Sequence, residues 1–219
     1  MRKSLLLLVM CLIIGVIVFA VHKFFAVATI HRLLTENKNL KKSILNLTAE
    51  DQIGYAKVLE QKIEAGKLYT TLLFVETSRG DKLKKVLEKQ YTIEGDIIHF
   101  DALIVKFTDQ LVMDGKERSM YLWRRVYGES QTPDSGFTIE QAGDQPQRYK
   151  DIFAKLPIKE QQVFWSGIWD LANDPEKLQQ YGIRAIYGNA VYSKLRKGVI
   201  YVFKISQTGQ LYPEIIPDI

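Results

Sequence analysis

Leu5 to Val21 reads LLLLVMCLIIGVIVFAV, a run of seventeen residues without a charge, with Arg2 and Lys3 before it and His22 and Lys23 after it. No other feature constrains the chain as much, because a helix that is apolar on every side has no polar face to turn to water. About 17 to 25 apolar residues cross a bilayer. Phe24, Phe25, Ala26 and Val27 extend the run past Lys23, whose stem can snorkel to the interface. Residues 1–27 therefore read as a membrane anchor.

Two processed forms compete with that reading. Ala26-Val27-Ala28 has the small residues of a signal-peptidase site, but the apolar run exceeds a signal-peptide core and Lys23 interrupts it. Cys11, the only cysteine, follows Met10 where a lipoprotein needs a small residue, and apolar sequence continues beyond it. The expectation is an uncleaved, single-pass signal anchor in the inner (plasma) membrane. Lys23, Arg32, Lys38 and Lys41 on one side rival Arg2, Lys3 and the amino terminus on the other, so charge does not set the orientation. The commoner arrangement for such anchors puts the N-terminus in the cytoplasm and the head outside.

Beyond the anchor, Ile30, Leu33, Asn37, Leu40, Ile44 and Leu47 fall on a 3-4-3-4 spacing. With Ile30, Asn37 and Ile44 at a and the three leucines at d, the pattern favours a parallel two-stranded coil, in which Asn37 fixes register. Glu36 at g and Lys41 at the following e suit an interchain ion pair. The alternative is an amphipathic helix packed on its own head. The seam fails at Asp51 and Gly54, and a shifted stripe of Ala56, Leu59 and Ile63 resumes, with Gly66 as a left-handed cap. Residues 28–66 read as a helical stalk, a candidate homodimer seam or coiled-coil partner site.

Residues 67–219 read as a globular α+β head. KLYTTLLFVETS (67–78) is rich in β-branched and aromatic residues, and Asp81 begins an apparent short helix, DKLKKVLEKQ, with Leu83, Val86 and Leu87 on one face. Residues 97–107 read as a long strand. Asp114-Gly115 reads as a two-residue type I′ turn between paired strands. Residues 128–148 are a polar, Gly- and Pro-containing loop, and 159–174 the main helix, with Phe164, Ile168 and Leu171 on its buried face. Three strands, near 183–192, 199–206 and 210–216, close a mainly antiparallel sheet.

Chemistry is sparse. In GDIIHFD (95–101) alternation puts His99 and Asp101 on one partly exposed face and Asp96 on the other, so the three do not converge. The head has no cysteine and no second histidine to complete a common zinc set. Neither a nucleophile elbow nor phosphate-loop spacing occurs, and paired carboxylates could come from Glu129, Asp134, Glu140 or Asp144 in the long loop. No catalytic residue, metal ligand or cofactor is assigned. SMYLWRRVY (119–127) is the candidate interaction surface: with the turn at Asp114-Gly115, Lys106 falls opposite Trp123, beside Tyr121, Arg125 and Tyr127.

The net charge of +5 clusters beside the anchor, which favours lipid headgroups over nucleic acid as the basic partner. Anchor, seam and a head without catalytic residues together suggest a membrane-tethered scaffold or interaction protein working with other envelope proteins. The layout alone resembles that of bacterial envelope-assembly scaffolds. An extracytoplasmic ligand-binding or sensory module is the second reading, and a tethered hydrolase the third.

Overall fold

The structure, a computed structural model, describes residues 15, 32–115, 118–150, 162, 164–168, 174–180 and 182–218. The anchor run, Gly15 apart, and Ile30 of the seam lie outside these residues. Among the described residues no helix is long and apolar enough to cross a membrane. The chain divides into two compact units, 1–45 and 46–219.

Residues 32–48 form helix α1. Leu33, Leu40 and Ile44 on it are 54%, 58% and 50% exposed, and Leu34 and Leu45 are exposed as well. Arg32 and Glu36 pair along the helix at 3.6 Å. The last turn of the helix belongs to the second unit: Leu47 packs against an apolar cluster of that unit, and Asn46 donates a hydrogen bond to the Met113 carbonyl at 2.9 Å.

The second unit is mainly antiparallel sheet with a few short helices. Its strands are β1 (Glu50–Glu64), β2 (Lys67–Ser78), β3 (Asp81–Glu94), β4 (Ile97–Phe107), β5 (Met120–Gly128), β6 (Phe137–Thr138), β7 (Ile183–Lys194), β8 (Val199–Ser206) and β9 (Leu211–Pro217). Five of them form one sheet in the order β3-β2-β1-β8-β9, and four another in the order β6-β5-β4-β7. Every pair is antiparallel.

The stalk does not continue as helix past residue 48. Residues 50–64 are strand β1, paired with both β2 and β8. A bulge at Leu59 breaks the period of two, and this is why Ala56, Leu59 and Ile63 imitate a helical stripe. Gly66 does adopt the left-handed conformation (φ 79°), but Ala65 does too (φ 50°), and the pair makes the β1–β2 hairpin turn. Residues 81–90 are likewise strand, not helix. Leu83 is 91% exposed there while Leu87 packs against the main core, so Leu83, Val86 and Leu87 do not form one buried face.

Apolar side chains from both sheets interdigitate in one core: Phe74 from β2, Phe100 from β4, Trp123 from β5 and Phe203 from β8 sit at its centre, all fully buried. Phe74 meets the Trp123 ring edge-on at 5.2 Å and lies 5.9 Å from both Phe100 and Phe203. Each such side chain contributes roughly 1.5–3 kcal/mol by burial, and each well-placed aromatic pair about 0.5–1.5 kcal/mol more. A two-sheet sandwich follows from these contacts.

A second, smaller cluster covers part of the other face of the four-stranded sheet. Leu103, Val105 and Phe107 of β4 pack there beneath Val112 of helix α2 (Asp109–Met113), Trp165 and Ile168 of the helical stretch 164–168, and Leu178 of helix α3 (Pro175–Gln180). Of the expected main helix, Ile168 is buried as anticipated and Leu171 lies outside the described residues. Asp114-Gly115 follows α2 and does not form a two-residue hairpin turn, so the β4–β5 register differs from the expected one.

Candidate functional site

Strand β5 determines which side chains the head displays. Asp101 pairs with Arg125 and the next residue, Ala102, with Trp123, so Arg124 is an extra residue bulged out of the ladder. The bulge reverses the alternation. Tyr121, Trp123 and Val126 all face the inter-sheet core, and the two consecutive arginines both reach the outer face.

This corrects the interaction surface read from SMYLWRRVY. Ile104 lies opposite Tyr121, and Ala102, not Lys106, opposite Trp123. Tyr121 and Trp123 are completely buried core residues. Lys106 sits by Gly209 in the β8–β9 turn. Arg125 and Tyr127 remain on the outer face, and the residues that join them are His99, Asp101, Arg124 and Tyr192.

His99 stands in β4 between Tyr127 of β5 and Tyr192 of β7 in the ladder. It stacks on Tyr127 at 4.8 Å with the rings nearly parallel, and lies 6.0 Å from the Tyr192 ring, whose residue is 66% exposed. Burial, followed by the nearby Asp101 carboxylate, holds the Tyr127 phenol above its ordinary pKa. One row along the sheet, the buried Asp101 carboxylate receives Arg124 Nη2 at 2.5 Å on one oxygen and has Arg125 Nε 3.3 Å from the other. His99 and Asp101 share a face as the alternation requires, but they take different partners.

The two guanidinium groups are held from several sides. Arg124 lies across the sheet onto Gly188 of β7, where an added Cβ would stand 2.5 Å from Nη2. Its Nε is buried without a hydrogen-bond partner. Arg125 Nη1 donates to the Pro133 carbonyl and to Asp134 Oδ1, each at 2.7 Å. The Asp134 side chain is 95% exposed, against 27% for each arginine. Beside them opens a cleft of about 250 Å³, lined further by Thr138, Glu140 and Gln141.

Glu140 belongs to a different arrangement, on the edge of β5 that β6 leaves uncovered. Trp123 N donates to Glu140 Oε2 at 2.9 Å, Tyr121 N to the Tyr149 hydroxyl at 2.9 Å, and Arg148 Nη2 to the Tyr121 carbonyl at 2.6 Å. Side chains from the end of the polar 128–148 loop and from Tyr149 thus satisfy the backbone groups of a strand edge that would otherwise be open. Arg148 also pairs with Glu76 at 2.8 Å and with Glu140, over the Tyr121 ring at 4.3 Å. Tyr121 donates its hydroxyl proton to Glu76 Oε1 at 2.8 Å. Burial drives the Glu76 carboxyl up to about 7, against the pull of Arg148.

Of the loop acids, Asp134 and Glu140 line one cleft, and each is tied to an arginine, Glu140 to Arg148 and Asp134 to Arg125. Among the described residues no three His, Cys, Asp or Glu side chains are grouped to hold a metal ion. No protein family, curated protein or solved structure matches this chain.

Proposed function

We propose that the chain is a single-pass, membrane-anchored interaction protein that pairs with a second copy through residues 30–47 and presents a non-catalytic sheet domain for binding. The apolar positions of α1 carry the reading. Leu33, Leu40 and Ile44 are at least half exposed at heptad spacing, with Asn37 in register, and an exposed row of that kind calls for an apolar cover. The expected placement is in the inner membrane with the head outside the cytoplasm, among other envelope proteins. The cleft beside Arg124 and Arg125 favours a second role for the same head, as a ligand-binding module.

Cysteine scanning in native membranes tests the pairing. In a Cys11→Ser background, Leu40→Cys and Ile44→Cys should give disulfide-linked dimers, and Lys38→Cys and Lys42→Cys, on the opposite side of the heptad, should not. Uniform crosslinking at all four positions, or none at any, overturns it.

A further inference from the structure

We propose that the Arg124–Arg125 bulge is a carboxylate-binding site for an acidic sugar, and that Asp134 occupies it as a displaceable internal stand-in. The proposal rests on the reading of the outer sheet face as a binding surface and is independent of helix pairing.

Charge and burial carry it together. The two guanidinium groups share one buried carboxylate, Asp101, so the cluster holds one positive charge more than its fixed partner balances. Asp134 supplies the missing negative charge, but from a side chain 95% exposed in the loop, where an ion pair gains little and exchanges readily. Asp101 and Gly188 keep the arginines in place without Asp134, so a planar anion arriving from solution meets donors already oriented.

The stand-in itself indicates the ligand. Replacing one carboxylate by another preserves both the planar geometry and the single negative charge, and a dianionic phosphate would exceed the charge that remains. The cleft of about 250 Å³ accommodates little more than one ring. Thr138 and Gln141 on its wall offer hydrogen-bonding groups to hydroxyls. A sugar ring bearing a carboxylate has these features in one unit; an acidic peptide has the charge without the hydroxyls.

Calorimetric titration of the full chain in detergent with trigalacturonate, a neutral galactose trisaccharide, a triglutamate peptide and inorganic phosphate tests the assignment. Trigalacturonate should bind and the neutral sugar should not. Asp134→Ala should tighten binding about three- to tenfold by removing the internal competitor. Arg125→Ala should weaken it at least tenfold, and Gly188→Ala, which displaces Arg124, severalfold. Asp134→Ala is at the surface and leaves the fold intact, so it remains informative should an arginine variant misfold. Binding that weakens in Asp134→Ala, that ignores Arg125→Ala, or that is matched by triglutamate or phosphate overturns the proposal. Loss of sugar binding with Leu40→Cys crosslinking intact would count against this site alone.

Discussion

Two arginine–carboxylate clusters hang on strand β5, one at its edge and one on its outer face, and they differ in how water reaches them. Around Arg148, the Glu76 and Glu140 carboxylates are 1% and 16% exposed and the guanidinium 7%. Around Arg124 and Arg125, Asp101 is buried and Asp134 fully open. The edge cluster has two acids for one base, and burial raises the pKa of one of the acids to about 7. The face cluster has two bases with only one buried acid, and depends on a surface residue for the rest. Burial commits the first to the fold and leaves the second available for exchange.

The comparison breaks most visibly at Arg148. Arg148→Ala leaves Glu76 buried without its cation and removes the donor to the Tyr121 carbonyl, so the expected cost is about 3–5 kcal/mol. Urea unfolding of the full chain in detergent, followed by tryptophan fluorescence, measures it. Arg125→Ala in the same assay should cost about 1 kcal/mol or less, because its guanidinium is partly solvated and its second partner is exposed. Equal losses for the two would mean that the clusters do not differ in kind.

A second expectation concerns pH. Glu76 has an ordinary value of 4.5 unfolded and about 7 folded, so between these pH values the folded chain binds more protons. Its contribution to stability is therefore complete below about pH 4.5 and declines as pH rises through 7. Comparing wild type with Glu76→Gln at pH 5 and pH 8 isolates it. The wild type should lose up to about 3 kcal/mol relative to the variant across that interval. A relative gain at pH 8 would show that attraction to Arg148 outweighs burial.

Strands rich in β-branched and aromatic residues were legible in the sequence: 67–78, 97–107 and 199–206 coincide with β2, β4 and β8. Where a strand carries a bulge, it was taken for helix, as in β1, or its faces were exchanged, as in β5. Leu59 in β1 and Arg124 in β5 each insert one residue, and one residue is enough to turn a period of two into helix-like spacing or to exchange core for surface. The same insertion hid the site. Arg124 and Arg125 are adjacent in sequence, which in a regular strand would send them to opposite faces, and Tyr121 and Trp123 appeared available because the register was taken from Asp114-Gly115. The loop was recognised by composition, but the three side chains near its end that replace a missing strand, Glu140, Arg148 and Tyr149, carry no local pattern. Their partners, Glu76, Tyr121 and Trp123, are 17 to 72 residues away.

The smallest expected effect sharpens the contrast from the other side. Asp134→Ala removes the Arg125 pair at 2.7 Å, a distance that would mark a strong interaction in the interior. Here the carboxylate is surrounded by water before and after folding, so the gain from pairing is offset by the lost hydration and side-chain freedom, and the stability change should stay within about 1 kcal/mol. Arg125 loses little in return, because its Nη1 keeps the Pro133 carbonyl and its Nε keeps Asp101. A double-mutant cycle with Arg125→Ala should therefore give a coupling energy below about 1 kcal/mol that shrinks further as salt is added. A coupling above about 2 kcal/mol, insensitive to salt, would mean that Asp134 clasps the loop to the sheet. The face cluster would then be as structural as the one around Arg148, with no exchangeable carboxylate for a ligand to replace.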